Sequence, residues 1–225
     1  MLIDIKEDGS NLVSIINEKN GRKNEKIITM DDFITSIVSS NSLGDFDPVA
    51  SPLYRKVSGT KLIQAKQYSK NSTIYILHSE KHQAPMQIFS RFYGDVGYPH
   101  LLFAVKVVNK VTTNLCVVAI KDNDVKEQTK IYHYPYTNVS GSLGNVCLGG
   151  NKFEKGIEGD KLYKIPFQFM SMPNTLHSYS PKKNTKLYEF EEMIKILQGK
   201  EFDDSLLVPN KALSTYKEWF EALGK

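Results

Sequence analysis

The sequence predicts an α+β domain with strands gathered in the middle of the chain and helices at its end. Three observations carry this. Runs rich in β-formers stand close together at 101–108 (LLFAVKVV), 115–120 (LCVVAI) and 129–134 (TKIYHY), parted by short turns, which reads as an antiparallel meander. Later, apolar residues recur twice at helical spacing, as Leu187, Phe190, Ile194, Leu197 and as Leu213, Tyr216, Phe220, Leu223. Between them, residues 131–151 (IYHYPYTNVSGSLGNVCLGGN) follow neither period. Strands first and helices after is the pattern of segregated layers.

Along the chain, LVSIIN at 12–17 and KLIQAK at 61–66 read as short strands. Thr29 followed by Asp32 opens a helix like a capping box; Met30, Phe33, Ile34, Ile37 and Val38 give it one apolar face, and Asn41, Ser42 and Gly44 end it. Residues 43–60 are turn-rich and read as a loop. STIYILHS at 72–79 is a further strand. Gly94, Gly97 and Pro99 then punctuate the chain, and Asn109–Asn114 reads as a turn. The first C-terminal helix is expected from Asn184 or Thr185 to a stop at Gly199, and the second after Pro209 and Asn210.

Composition bounds the function. The chain has 225 residues, 40% hydrophobic and 24% charged, with a net charge of +4. That is an ordinary globular composition. The lysines are spread, and their densest cluster, Lys182, Lys183 and Lys186, reads as a solvated loop, so no basic stripe points to nucleic acid. No apolar run approaches the roughly 20 residues of a membrane span. The start, MLIDIKEDG, lacks the pattern of a targeting segment, and two cysteines make no disulfide framework. The expectation is a cytoplasmic, reduced protein.

The chemistry concentrates at 131–151. Gly141, Gly144, Gly149 and Gly150 crowd around Cys147. Glycine lets backbone N–H groups come close to a ligand, where they stabilise a thiolate or a developing oxyanion. The competing reading is a buried cysteine acting as a small hydrophobe, as expected of Cys116 within LCVVAI. The segment is not a phosphate-binding loop, because no Gly-Lys-Ser/Thr follows, and His78, His82, His100, His133 and His177 form no His-Glu-x-x-His pattern. No cofactor or metal is indicated.

The segment 133–149 (HYPYTNVSGSLGNVCLG) resembles the active-site region of ubiquitin-conjugating enzymes, which carry His-Pro-Asn, a short loop, then Gly-x-Ile/Val-Cys-Leu. Gly144-Asn145-Val146-Cys147-Leu148 matches the second part, and Pro135 and Asn138 match the first loosely. More closely, the chain resembles the prokaryotic conjugating-enzyme-like family D, also called PRTRC system protein B. LLFAV at 101–105, the Pro135/Asn138/Val139 group, Gly144 to Gly149, and FQFMS with His177 behind it carry that likeness. It covers most of residues 98–200. Residues 96–225 are therefore expected to form a conjugating-enzyme-like core with C-terminal helices, and residues 1–95 an N-terminal extension of strands and a helix integrated with it.

The resemblance implies a thioester carrier. Cys147 would accept a ubiquitin-like protein from an adenylating activating enzyme and pass it to a nucleophile; a metallopeptidase belongs to the same system. Asn138 would support the loop or polarise the thioester carbonyl. His177 would act as general base for an incoming amine, or is a surface loop residue. The chain departs from the family pattern where Tyr134 separates His133 from Pro135, and where Tyr136 and Thr137 separate Pro135 from Asn138. Two other readings stay open: a non-catalytic scaffold of the same fold, and a thiol hydrolase using Cys147 and His177.

Overall fold

The structure is a computed structural model and describes residues 2–5, 11–19, 22–34, 50–52, 56–57, 59–153 and 160–224. Near the N-terminus, β1 (Leu2–Ile5), β2 (Leu12–Lys19) and β3 (Arg22–Thr29) form a three-stranded antiparallel sheet. Helix starts at residue 30 and is described to residue 34. Its start is built as expected: the Asp32 N–H donates to Thr29 Oγ1 at 3.1 Å. The proposed helix end at Asn41, Ser42 and Gly44 lies outside the described residues.

The main sheet collects β4 (Ala50–Pro52), β5 (Lys56–Val57), β6 (Thr60–Ser69), β7 (Ser72–Ser79), β10 (His100–Val108) and β11 (Val111–Ile120). Its central path runs β11-β10-β7-β6-β4, antiparallel throughout, with Leu102 opposite both Val118 and His78. The loop expected at 43–60 is thus interrupted, since β4 and β5 both pair with β6. The turn expected over 109–114 shrinks to Asn109 and Lys110, both at positive φ, as a tight hairpin between twisted strands requires. Between β7 and β10 an antiparallel hairpin is inserted, β8 (His82–Ile88) with β9 (Arg91–Tyr98). Gly97 sits inside β9 rather than at a break; a Cβ there would meet the Lys200 carbonyl at 2.5 Å.

The central strands are apolar on both faces because both faces are covered. Leu101, Phe103, Val105, Leu115, Val117 and Ala119 belong to one buried cluster. Their alternates Leu102, Ala104, Cys116, Val118 and Ile120 belong to another, as the two-residue period of a strand dictates. The first face is covered by α1 (Asp160–Ser171) and α2 (Phe190–Leu197), through Ile165, Phe169, Met193 and Ile194. The second is covered by α3 (Tyr216–Ala222), whose Trp219 is fully buried. Thr215 and Glu218 form a reciprocal capping box at the start of α3.

Three expectations change here. Helix α1 lies where the sequence marks none, because Pro166 stands inside it and proline ordinarily ends a helical pattern. The C-terminal helices therefore number three in the described residues, with α1 first. Helix α2 starts at Phe190, not near Asn184: Asn184 bridges to Leu207 and Leu187 takes φ +59°, both outside helical geometry. Finally, the third expected meander strand is only β12 (Tyr132–His133). Beside it the backbone turns to the C-terminal segment: Ile131 N–H donates to Ser214 O, and His133 N–H to Val208 O. Among the described residues no helix is long and apolar enough to cross a membrane.

Candidate functional site

The segment around Cys147 is shaped by two short strands, β13 (Val139–Ser140) and β14 (Asn145–Val146). They pair Val139 with Val146 and Ser140 with Asn145, and β14 joins the main sheet where Asn145 faces Cys116. Three donors hold the loop between them. Asn210 Nδ2 donates to Ser142 O at 2.6 Å, Trp219 Nε1 to Leu143 O at 3.0 Å, and the Val117 N–H to Gly144 O at 2.7 Å. Asn210 and Trp219 are themselves buried, so the loop is fixed from the core of the α3 face. Gly144 lies at φ +75°, and a Cβ on it would stand 2.0 Å from Val117 O. Only glycine allows that approach. Gly149 and Gly150 have no such neighbour.

Cys147 follows β14. It is a free, exposed thiol, whereas Cys116 is free and buried. Burial pushes the Cys116 thiol up to about 11, so its thiolate is scarce at neutral pH. The two readings left open for Cys147 thus separate on exposure: it does not act as a buried hydrophobe, and Cys116 does.

Opposite Cys147 stands Asn138, whose carbonyl accepts the Cys147 N–H at 2.8 Å. Asn138 adopts φ +59°, a conformation asparagine tolerates better than other side chains. Its own N–H donates to His177 O at 2.9 Å. Its amide is held on both sides: Nδ2 donates to Asn174 Oδ1 at 3.0 Å, and Oδ1 accepts from Thr175 Oγ1 at 3.1 Å. Asn174 is buried and also accepts from Thr137 Oγ1 at 3.2 Å. Its backbone is locked to the β8–β9 hairpin, through Asn174 N–H to Gln87 O and Phe89 N–H to Asn174 O. The chain from hairpin to Asn174 to Asn138 to Cys147 is thus continuous.

His177 comes to this cluster through its backbone; its ring is exposed. His133 lies on the other side, half-buried, with its pKa lowered first by burial and then by the nearby Lys183 cation. Lys183 is the residue that sequence reasoning misses. Within the lysine cluster read as solvated, Lys182 and Lys186 are exposed, but Lys183 is half-buried. Its Nζ donates to Tyr136 O at 2.8 Å and to Val139 O at 2.6 Å, spanning the Asn138 turn. Burial lowers its pKa to about 8. The missed signal is the proline before the cluster: Pro181 opens a single 3-10 turn, Pro181–Lys183, that fixes where Lys183 emerges. A cleft of about 200 Å³ opens between this turn, the β13 end and β11. Among the described residues no group of three or more His, Cys, Asp or Glu could hold a metal ion.

No curated protein and no solved structure matches the chain. Residues 51–210 match the family model described as prokaryotic E2 family D. That span takes in the main sheet from β4 onward, the Asn138–Cys147 pair, α1 and α2, and the chain belongs to that family.

Proposed function

We propose that this chain is a conjugating-enzyme-like carrier that takes a ubiquitin-like protein from an activating enzyme as a thioester on Cys147 and passes it to a nucleophile. The observation that supports it most is an exposed thiol backbone-paired with Asn138, in a chain of the E2 family. In loading, the Cys147 sulfur attacks the carbonyl carbon of the donor thioester. The new S–C bond forms, the donor's S–C bond breaks, and the donor thiolate takes up the proton that Cys147 gives away. In discharge, an incoming amine attacks the same carbon, the Cys147 thiolate leaves, and the amine's proton passes to a base. Cysteine suits both halves, being a strong nucleophile and a good leaving group.

Asn138 is best read as a positioning residue. Both polar atoms of its amide are engaged by Asn174 and Thr175, and its carbonyl holds the Cys147 backbone. One amide hydrogen remains to meet a developing oxyanion. His177, exposed beside this cluster, is placed in the role of base for the incoming nucleophile. The reading includes residues 96–225 as the conjugating core with residues 1–95 integrated with it, and a cytoplasmic setting.

The test is reconstitution. The chain is incubated with ATP, an activating enzyme and its cognate ubiquitin-like protein, and separated without reductant. A reductant-sensitive adduct on the wild type that Cys147→Ala lacks supports the carrier. No adduct while the activating enzyme is charged favours the scaffold. Peptide or isopeptide cleavage by the chain alone, lost in Cys147→Ala and His177→Ala, favours the hydrolase.

A further inference from the structure

The cleft beside the Asn138 turn is not used by the thioester reading. It lies between the Pro181–Lys183 turn and the sheet, one residue along β13 from Asn138, and is lined by Val117, Val118, Tyr134, Val139, His133 and Lys183. Three features define what it accepts. Its walls are largely apolar. Its charged and titratable lining groups are cationic or neutral: Lys183 and Lys182 from the turn, His133 from β12, and Tyr134, whose hydroxyl stays protonated because burial raises its pKa well above the usual value. Among the described residues no carboxylate lines it. Lys183 satisfies two backbone carbonyls and has no carboxylate partner among the described residues, which leaves one ammonium hydrogen for a ligand. A half-buried cation without a counter-ion sits in an unfavourable state that a bound anion relieves.

We propose that this cleft binds an organic carboxylate, its carboxyl group on Lys183 and its carbon body on the wall formed by Val117, Tyr134 and Val139. A carboxylate fits better than inorganic phosphate. The half-buried Lys183 matches one negative charge, the apolar walls match a hydrocarbon body, and a second charge would find only the exposed, solvated Lys182. About 200 Å³ holds roughly six or seven waters' share of liquid volume, the size of a short aliphatic acid or the last residue of a peptide. A free small acid and the C-terminus of a polypeptide offer the same group.

Because the cation turns neutral above about pH 8, affinity declines through that range. With Lys183 nine-tenths charged at pH 7 and about one-tenth charged at pH 9, the loss is about tenfold. His133 is shifted downward by burial and does not titrate in this window, and Lys182 is exposed to solvent.

The experiment uses the full chain and calorimetry at pH 7 and pH 9 with butyrate, a short peptide ending in a free carboxylate, the same peptide amidated, and inorganic phosphate. Expected are one-to-one binding of butyrate or the peptide acid, an approximately tenfold loss at pH 9, and little binding of amide or phosphate. Butyrate binding assigns a small acid, and binding of the peptide acid alone assigns a chain terminus. Lys183→Met removes binding. Because that variant also frees the Asn138 turn, Ser180→Phe, which fills the cleft mouth and leaves Lys183 in place, must remove it too. Absence of binding by either acid, equal binding of amide and acid, or unchanged affinity in Ser180→Phe overturns the proposal.

Discussion

The backbone N–H of Cys147 donates to the carbonyl of Asn138 at 2.8 Å, and the Asn138 N–H in turn donates to His177 O at 2.9 Å. All three residues picked from sequence therefore meet, through main-chain atoms. Replacing Asn138 separates its two contributions. Asn138→Gly keeps the positive φ and loses two side-chain hydrogen bonds; Asn138→Ala loses those bonds and adds backbone strain. At about 1 kcal/mol for each bond and about 1 kcal/mol for the strain, glycine costs about 2 kcal/mol and alanine about 3 kcal/mol. Urea denaturation measures the order, and equal losses would remove the backbone argument.

The two thiols differ in reactivity for a physical reason. Cys116 packs with Val118 and Trp219 in the α3-side core and its thiol is pushed up to about 11, while Cys147 is exposed. At pH 8 about one Cys116 in a thousand is ionised. Brief alkylation of the native protein with iodoacetamide labels Cys147 and spares Cys116, and peptide mass spectrometry reads the ratio. Equal labelling would mean that the α3 face opens readily.

Lys183 gives the fold a pH signature. Its folded-state pKa of about 8 lies below its unfolded value of 10.5, so between these the unfolded chain binds more protons and stability rises with pH. Below pH 8 both states carry the charge and the cost of burying it is complete. The shift corresponds to a gain of up to about 3 kcal/mol from pH 8 to 10.5. Above about pH 10 ionisation of Tyr134 and Tyr136 in the unfolded chain opposes it, since burial raises both in the fold. The urea midpoint of wild type is expected to rise relative to that of Lys183→Met from pH 8 to 9.5, since both share the opposing ionisation of Cys116 and the buried tyrosines in the unfolded chain and only the wild type has the Lys183 contribution.

The glycines around Cys147 are not equivalent. Gly144→Ala puts a Cβ against the Val117 backbone and is expected to cost about 3–5 kcal/mol, the sum of about 1–3 kcal/mol of overpacking and about 1–2 kcal/mol for the side chain at φ +75°. Gly149→Ala meets only the backbone cost of φ +56°, about 1 kcal/mol. A thermal melt of both variants checks the difference.

Much of the fold is legible because periodicity reports burial. Residues 101–108 and 115–120 read as strands from their β-branched, unbroken apolar runs, and those runs are unbroken because helices cover both faces. Helix α1 escapes because Pro166 masks its apolar face, which Leu162, Ile165 and Phe169 nevertheless present. In the site, Cys147 is legible from its local glycine pattern. Asn174 and Thr175 are not, since they reach Asn138 across 36 and 37 residues of chain. Lys183 is hidden for another reason: a lysine's sequence neighbours do not say whether its stem runs over the surface or into a cleft.

The carrier reading stands on one atom, the Cys147 sulfur. The most direct measurement is peptide mapping by mass spectrometry of the full chain after charging with ATP, activating enzyme and ubiquitin-like protein, at acidic pH and without reductant. The account predicts one modified site, on the peptide containing Cys147, carrying the C-terminal residues of the ubiquitin-like protein in a bond that thiol reductant releases. An adduct on Cys116 or on a lysine, or none while the activating enzyme is charged, would contradict it.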